Sequence, residues 1–490
     1  MLTPTEYRSL DAIALSELIR TKQINAKEAL ACSLREVDRL NPAVNAVVMR
    51  NDALANLDVE TLTSSGPLAG VPFLAKDINV NIKGYKTTHA CRFFAENPVS
   101  TKDSLLVERW RAAGLIITGR TNTPEFATNF GCEPEFYGPT MNPWNNKLTP
   151  GGSSGGAAAA VATGMVPMAH ATDSGGSIRA PAACCGVFGF KPSSGLVATG
   201  SALGHLVGGL NADHVVTRSV RDSAAMLDAA TGPELASPMA FESLAFKKAT
   251  HSQIYGTYLK ALDRPPKRLR IGITSQSPTG MQPDNEIRTA FTKTASMLES
   301  LGHEVVSWVW PGDSDPCDVA SVFWMAELSA TIDQQVEFLS REPKHGELGP
   351  LVHASWLKAR SISSVDMVKA RVKCRELQIN MHRAASTIDV LMTPVLSEAP
   401  LPSGMLTELV NKDTEDWMRR AWQFAPYLEI FNVTGQPAMS VPLHESTDGL
   451  PIGMHFVASV GADAMLLQLA AELESHTKWC DRPLPMSNTV

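Results

Sequence analysis

Thr149-Pro-Gly-Gly-Ser-Ser-Gly-Gly156 runs directly into the alanines Ala157–Ala160, and Ala171-Thr-Asp-Ser-Gly-Gly-Ser-Ile-Arg179 follows a short way on. Each stretch sets a serine, Ser153 or Ser177, in a glycine-rich turn where backbone N–H groups are bare and no side chain blocks close approach. Turns of this kind can hold a nucleophile beside an oxyanion hole. The alanine run carries no bulk, so a helix over 157–162 can be packed on all sides. Gly155-Gly156 precede it, which makes the Ser153 loop the lead-in to that helix.

Outward from this centre the elements alternate. Val71–Ala75 is short and apolar, a buried strand whose end presents Lys76. Leu105, Leu106, Val107, Trp110 and Ala113 suit a helix closed by Gly114, and Leu115–Gly119 reads as the next buried strand. Arg270–Thr274, a helical run to Gly302 and Glu304–Val306 repeat the strand–helix–strand unit. Asp389–Pro394, Ala438–Pro442 and Ile452–Val457 read as further strands, and Ala464–Leu473 as a last helix. Near the start, Asn25 and Glu28 form a capping box for a helix expected to stop at Asn41-Pro42. The stretch around 232–268 has the weakest pattern and is expected to be a surface excursion. The expectation is an α/β fold built on one large mixed sheet, with residues 1–490 forming a single domain.

Composition excludes several function classes. With 44% hydrophobic and 19% charged residues and a formal net charge of -7, the chain has no electrostatic footprint for nucleic acid or an anionic membrane. No apolar run reaches membrane-spanning length. Met1-Leu-Thr-Pro-Thr-Glu-Tyr-Arg8 lacks the basic-then-apolar pattern of a secretory leader. The eight cysteines (Cys32, Cys91, Cys132, Cys184, Cys185, Cys317, Cys374, Cys480) form no CxxC pair. Free thiols in a reducing cytoplasm are the expectation, with no metal or organic cofactor.

Amide hydrolysis requires a nucleophile, a base, a proton donor for the leaving nitrogen and dipoles for the oxyanion. Ser177 is the candidate nucleophile, because Ser174-Gly175-Gly176-Ser177 can aim successive N–H groups at one point. Ser153 is the candidate relay, since a hydroxyl donates and accepts at once. Lys76, drawn out of water, is the candidate base. Asp173 and Arg179 flank the nucleophile as braces of its loop. Other readings stay open on these residues alone. A glycine-rich segment is often a flexible turn, and Lys-Asp is often a solvated pair. No Lys-Ser/Thr follows the glycines as a phosphate loop requires. A Ser-His-Asp triad could use His170, His205 or His214, although no GxSxG is present.

The ordered motifs resemble the amidase signature family of serine hydrolases. The resemblance is dense over about 65–230 and includes Gly119-Arg-Thr-Asn-Thr-Pro-Glu125, Asn142-Pro-Trp-Asn145 and Gly186-Val-Phe-Gly-Phe-Lys-Pro192. It returns at Asp389–Pro394 and at Phe431-Asn-Val-Thr-Gly-Gln-Pro-Ala-Met-Ser-Val-Pro442. It implies a Ser-Ser-Lys triad of Ser177, Ser153 and Lys76, with a cis peptide before Ser153. It also implies an oxyanion hole from the N–H groups of Ser174, Gly175, Gly176 and Ser177. The implied fold is a twisted mixed sheet of about eleven strands with helices on both faces, and a homodimer is expected from the family. Arg120 and Ala171 depart from common family residues, at positions expected not to touch the triad. His170 and Glu133-Pro-Glu135 make the chain similar to the 6-aminohexanoate-cyclic-dimer hydrolase branch.

The substrate expectation is a small to medium, mostly neutral amide: linear, aryl, cyclic or a carbamate. Val322–Ala326 and Trp417–Phe424 through Phe431, largely within a variable region of about 300–430, either pack the core or line an acyl pocket. An arginine such as Arg419 or Arg420 would suit a free acid instead. The alternative function is the glutamine amidotransferase-type subunit of a tRNA-dependent amidation complex, which shares these motifs.

Overall fold

The computed structural model describes residues 2–63, 66–198, 200, 205–232, 234, 257–312 and 314–486. The weakly patterned stretch around 232–268 lies largely outside them.

Among the described residues eleven strands form one sheet. In chain order they are β1 (Val47–Arg50), β2 (Pro72–Lys76), β3 (Ile116–Thr121), β4 (Met168–Asp173), β5 (Phe188–Lys191), β6 (Ala212–Thr217), β7 (Arg270–Ile273), β8 (Glu304–Ser307), β9 (Val390–Pro394), β10 (Ala438–Glu445) and β11 (Pro451–Ala458). Their order across the sheet is β1-β3-β2-β4-β6-β5-β10-β11-β9-β7-β8. The strand–helix–strand units are parallel pairs, β2 with β3 and β7 with β8, whereas the tight β10–β11 connection makes an antiparallel pair. The sheet is therefore mixed, as expected.

The period-two alternation of strand side chains separates two cores. Phe73 and Ala75 of β2 point into a core shared with helices Val220–Ala230 and Asp463–Thr477. Leu74 points the other way, into a core with helix Gly155–Ala162 and the helix Ala26–Val44. Every residue of Gly155–Ala162 is buried, as its lack of bulk allows. Lys76 falls on the Leu74 side by the same alternation, and so beneath the loop that leads into this alanine helix.

The first long helix differs from expectation. The capping box of Asn25 and Glu28 is present, but the helix continues through Pro42 to Val44 and ends at Asn45, whose φ is 49°. Pro42 lies in the last turn, so little helix remains beyond it to be disturbed. The stop comes instead from Asn45 in the left-handed region and from Asn41, whose side chain accepts from the N–H groups of Ala46 and Val47.

Candidate active site

Lys76 ends β2 and Thr172-Asp173 end β4, the neighbouring parallel strand. The loops leaving these ends are where an open α/β sheet builds its sites. The Ser153 loop threads a narrow gap. A Cβ on Gly152 would lie 2.4 Å from the Asn129 carbonyl oxygen, and one on Gly151 2.8 Å from Pro181 Cα. The peptide between Gly152 and Ser153 is cis, as the resemblance implied. Asn142 anchors the loop from below: its Nδ2 donates to the carbonyls of Thr149 and Cys184, each over 3.0 Å. The two serine loops meet where the Ser154 N–H donates to the Ser177 carbonyl at 3.3 Å.

Lys76 and Ser153 have no exposed surface. Lys76 Nζ donates to Ser153 Oγ at 2.6 Å, to Thr172 Oγ1 at 2.9 Å and to Ser154 Oγ at 3.0 Å. All three partners are hydroxyls. Burial holds the lysine pKa down to about 7, because the ammonium has lost its water and the more distant Asp213 and Asp173 charges offset only part of that loss. Ser154 turns its own proton to the Thr172 carbonyl over 3.3 Å. A neutral Lys76 can therefore donate its two N–H groups to Ser154 and Thr172 and turn its lone pair to Ser153.

Ser177 is half-buried and lines the same cavity of about 470 Å³ as Ser153. Its hydroxyl makes no hydrogen bond with any described residue, so the Ser177–Ser153 link is not closed in this arrangement. Asp173 and Arg179 form a fully buried pair, Nε to Oδ2 over 2.9 Å and Nη2 to Oδ1 over 2.8 Å. Asp173 also accepts from the N–H groups of Gly176, Ile178 and Arg179 and from Asn432 Nδ2. The pair thus shapes the Ser177 loop. One expected oxyanion donor is thereby corrected: the Gly176 N–H is taken by Asp173 Oδ1 at 2.8 Å. The N–H groups of Ser174, Gly175 and Ser177 have no acceptor among the described residues.

Arg120 also departs from expectation. Its Nη1 donates to the Lys76 carbonyl at 3.0 Å, and its Nη2 to Val80 and Thr87, so it braces the lysine's backbone. The histidines are occupied elsewhere: His170 by Asp213, His214 by Ser223. His205 lies 3.9 Å from Glu327. The apolar segments divide between the two earlier readings. Trp324, Trp417 and Trp422 line the cavity, whereas Phe323, Phe424 and Phe431 are buried in the core. Arg420 pairs with Glu398 and Arg419 with Asp416, and neither lines this cavity.

Sequence reasoning missed Ser154 and Thr172, although both adjoin residues it singled out. It also missed Glu429, which reaches the Ser177 loop from far along the chain with no local signal, and the part played by Asn432, which lies inside the quoted Phe431–Pro442 motif. Among the described residues no cluster of metal-ligating side chains occurs, and no helix is long and apolar enough to cross a membrane.

The Amidase family model matches residues 28–467. The chain is 33% identical over 492 residues to the 6-aminohexanoate-cyclic-dimer hydrolase of Paenarthrobacter ureafaciens, covering 96% of each protein. The solved structure of a 6-aminohexanoate cyclic dimer hydrolase superposes with a TM-score of 0.90 at 31% identity, covering 97% of this chain and 99% of the other. A bacterial aryl acylamidase structure of the amidase signature family gives 0.83 at 25% identity, over 97% and 99%.

Proposed function

The chain belongs to the amidase signature family and carries amidase-type C–N hydrolysis, and from that premise we propose an acyl-enzyme route on Ser177, with Ser153 as relay and Lys76 as base. Ser177 Oγ attacks the amide carbonyl carbon. Its proton passes to Ser153 Oγ as the Ser153 proton passes to Lys76 Nζ. The N–H groups of Ser174, Gly175 and Ser177 stabilise the oxyanion. Collapse breaks the C–N bond, and the relay returns the proton to the leaving nitrogen. Water then attacks the acyl ester along the same path and releases the acid.

One observation carries this reading: a fully buried lysine whose three partners are all hydroxyls, one of them Ser153 at 2.6 Å. Among the described residues no carboxylate pairs with this ammonium; hydroxyls that can pass a proton take that place. The route requires the free Ser177 hydroxyl to rotate onto Ser153 when substrate binds. Catalytic hydrogen bonds commonly tighten in that way only in the loaded site.

The substrate class in this proposal is a small to medium, mostly neutral amide, including cyclic or aryl amides and carbamates. Three tryptophans among the walls and no lysine or arginine in the lining of the 470 Å³ cavity support it. Taking 1–490 as one amidase domain, in a reducing cytoplasm and as a homodimer, belongs to the same proposal. The continuous sheet supports the first, the free buried thiols the second, and family likeness alone the third. The test is a hydrolysis screen over a linear amide, an aryl carbamate and the 6-aminohexanoate cyclic dimer, run on wild type and Ser177→Ala. Turnover in wild type and its loss in the variant are expected; an unchanged rate in Ser177→Ala removes the proposal.

A further inference from the structure

Two hollows meet at Gly175. One is the cavity lined by Ser153 and Ser177. The other, of about 480 Å³, runs between Met281, Pro316 and Met418, and Phe130, Gly175, Trp422 and Glu429 line both. Glu429 immediately precedes the short helix Ile430–Val433. Its Oε1 packs against the nucleophile loop, 3.2 Å from where a Cβ on Gly175 would sit. Its Oε2 is shielded from solvent and has no hydrogen-bond partner among the described residues. The Glu429 side chain thus borders both chambers beside the Ser177 loop, and its carboxyl has no salt-bridge partner among the described residues.

The charges around Glu429 decide its form. Burial and the neighbouring Asp315 carboxylate raise its pKa to about 8, while Cys317 and Arg179 offset part of the rise. The Arg179 guanidinium is directed instead to Asp173, the Leu428 carbonyl, Asn432 and His455. The second chamber's other charged lining groups are Lys358, Glu415 and Arg419, the last paired with Asp416. Burial and the Asp315 charge both favour the uncharged acid at neutral pH, whose O–H is a donor beside the oxyanion loop. An ionised carboxylate there would repel the same oxygens that an acid attracts.

We propose that Glu429 is a specificity residue, its uncharged carboxyl donating a hydrogen bond to a second neutral carbonyl oxygen of a substrate that extends past Gly175 into the adjoining chamber. This rests on the amide-hydrolase reading. The substrates it selects are neutral amides bearing a further amide, carbamate or ester carbonyl.

The test compares p-nitroanilides whose acyl chains carry an acetamido group at a series of positions with alkyl chains of equal length. Wild type at pH 7 is expected to favour the best acetamido compound about tenfold in kcat/KM, the value of one net hydrogen bond. That preference fades above pH 8 as the acid ionises. Glu429→Gln keeps an uncharged donor of the same shape, so it retains the preference and holds it at pH 9. Glu429→Ala brings the ratio to about one. The proposal is overturned if wild type shows no preference across the series, or if Glu429→Gln loses it along with Glu429→Ala. Should the alanine variant not fold, the pH comparison decides: a preference in Glu429→Gln that fades above pH 8 as in wild type overturns it. Labelling of Ser177 by a fluorophosphonate in wild type tests the underlying reading separately.

Discussion

Lys76 Nζ meets Ser153 Oγ over 2.6 Å, with both residues fully buried. That contact joins the end of an interior strand to a loop in another part of the chain, and the proposed chemistry depends on the lysine being able to lose its proton. Burial supplies that ability, holding the pKa to about 7.

The sign of the pH dependence follows. Only the neutral amine can accept the relay proton, so kcat/KM is expected to fall about tenfold per pH unit well below pH 7 and to level off above it. Lys76→Ala should lower kcat/KM by about 10²–10⁴-fold and remove that limb. A pH–rate profile on one neutral amide, with the same acid limb surviving in the variant, would reject Lys76 as base.

Thr172 tunes the same group. The ammonium has three N–H donors for three hydroxyls, whereas the amine has two. Thr172→Val removes one acceptor and disfavours the ammonium more than the amine. The acid limb is expected to move below pH 7, with a lower plateau because the lysine is less well held. An upward or absent shift in the profile contradicts this account of the site.

The Asp173–Arg179 pair holds the Ser177 loop in shape. Burial pushes the Asp173 carboxyl up, but the Arg179 charge and hydrogen bonds, together with Asn432, outweigh this and hold it well below the usual carboxylate range. Its stabilisation is therefore present above the ordinary carboxylate pKa and lost as pH falls through the depressed folded value. Asp173→Ala leaves a buried guanidinium without its counter-ion, and a loss of about 3–5 kcal/mol is expected in urea unfolding at pH 7. A variant as stable as wild type would show that the pair does not brace the fold.

Gly156 is a packing constraint on the Ser153 loop. A Cβ there would meet the backbone nitrogen and oxygen of Asn122 at 2.5 and 2.6 Å. Neither atom belongs to a flexible side chain that can swing away. Gly156→Ala is expected to destabilise by about 1–3 kcal/mol and to lower kcat by displacing Ser153. Thermal melting and steady-state kinetics on the purified variant measure both effects.

Much of the frame was legible from the chain. Val71–Ala75 ends in Lys76 because a short apolar run between turn signals makes a buried strand, and the alanine run after Gly155-Gly156 could form only a helix that others crowd. The ordered glycine, serine and proline motifs identified the family, since each reflects a local backbone need. The Pro42 stop was misread because a proline in a last turn disturbs little, and the burial of its helix outweighs the local signal. The water-free setting of Lys76, the use of the Gly176 N–H by Asp173, and the arrival of Asn432 and Glu429 at the Ser177 loop were decided in three dimensions. Local pattern records the period and the turns of a chain. Desolvation and hydrogen-bond partnership are set by whatever distant segments pack around a group, and no short window of residues contains them.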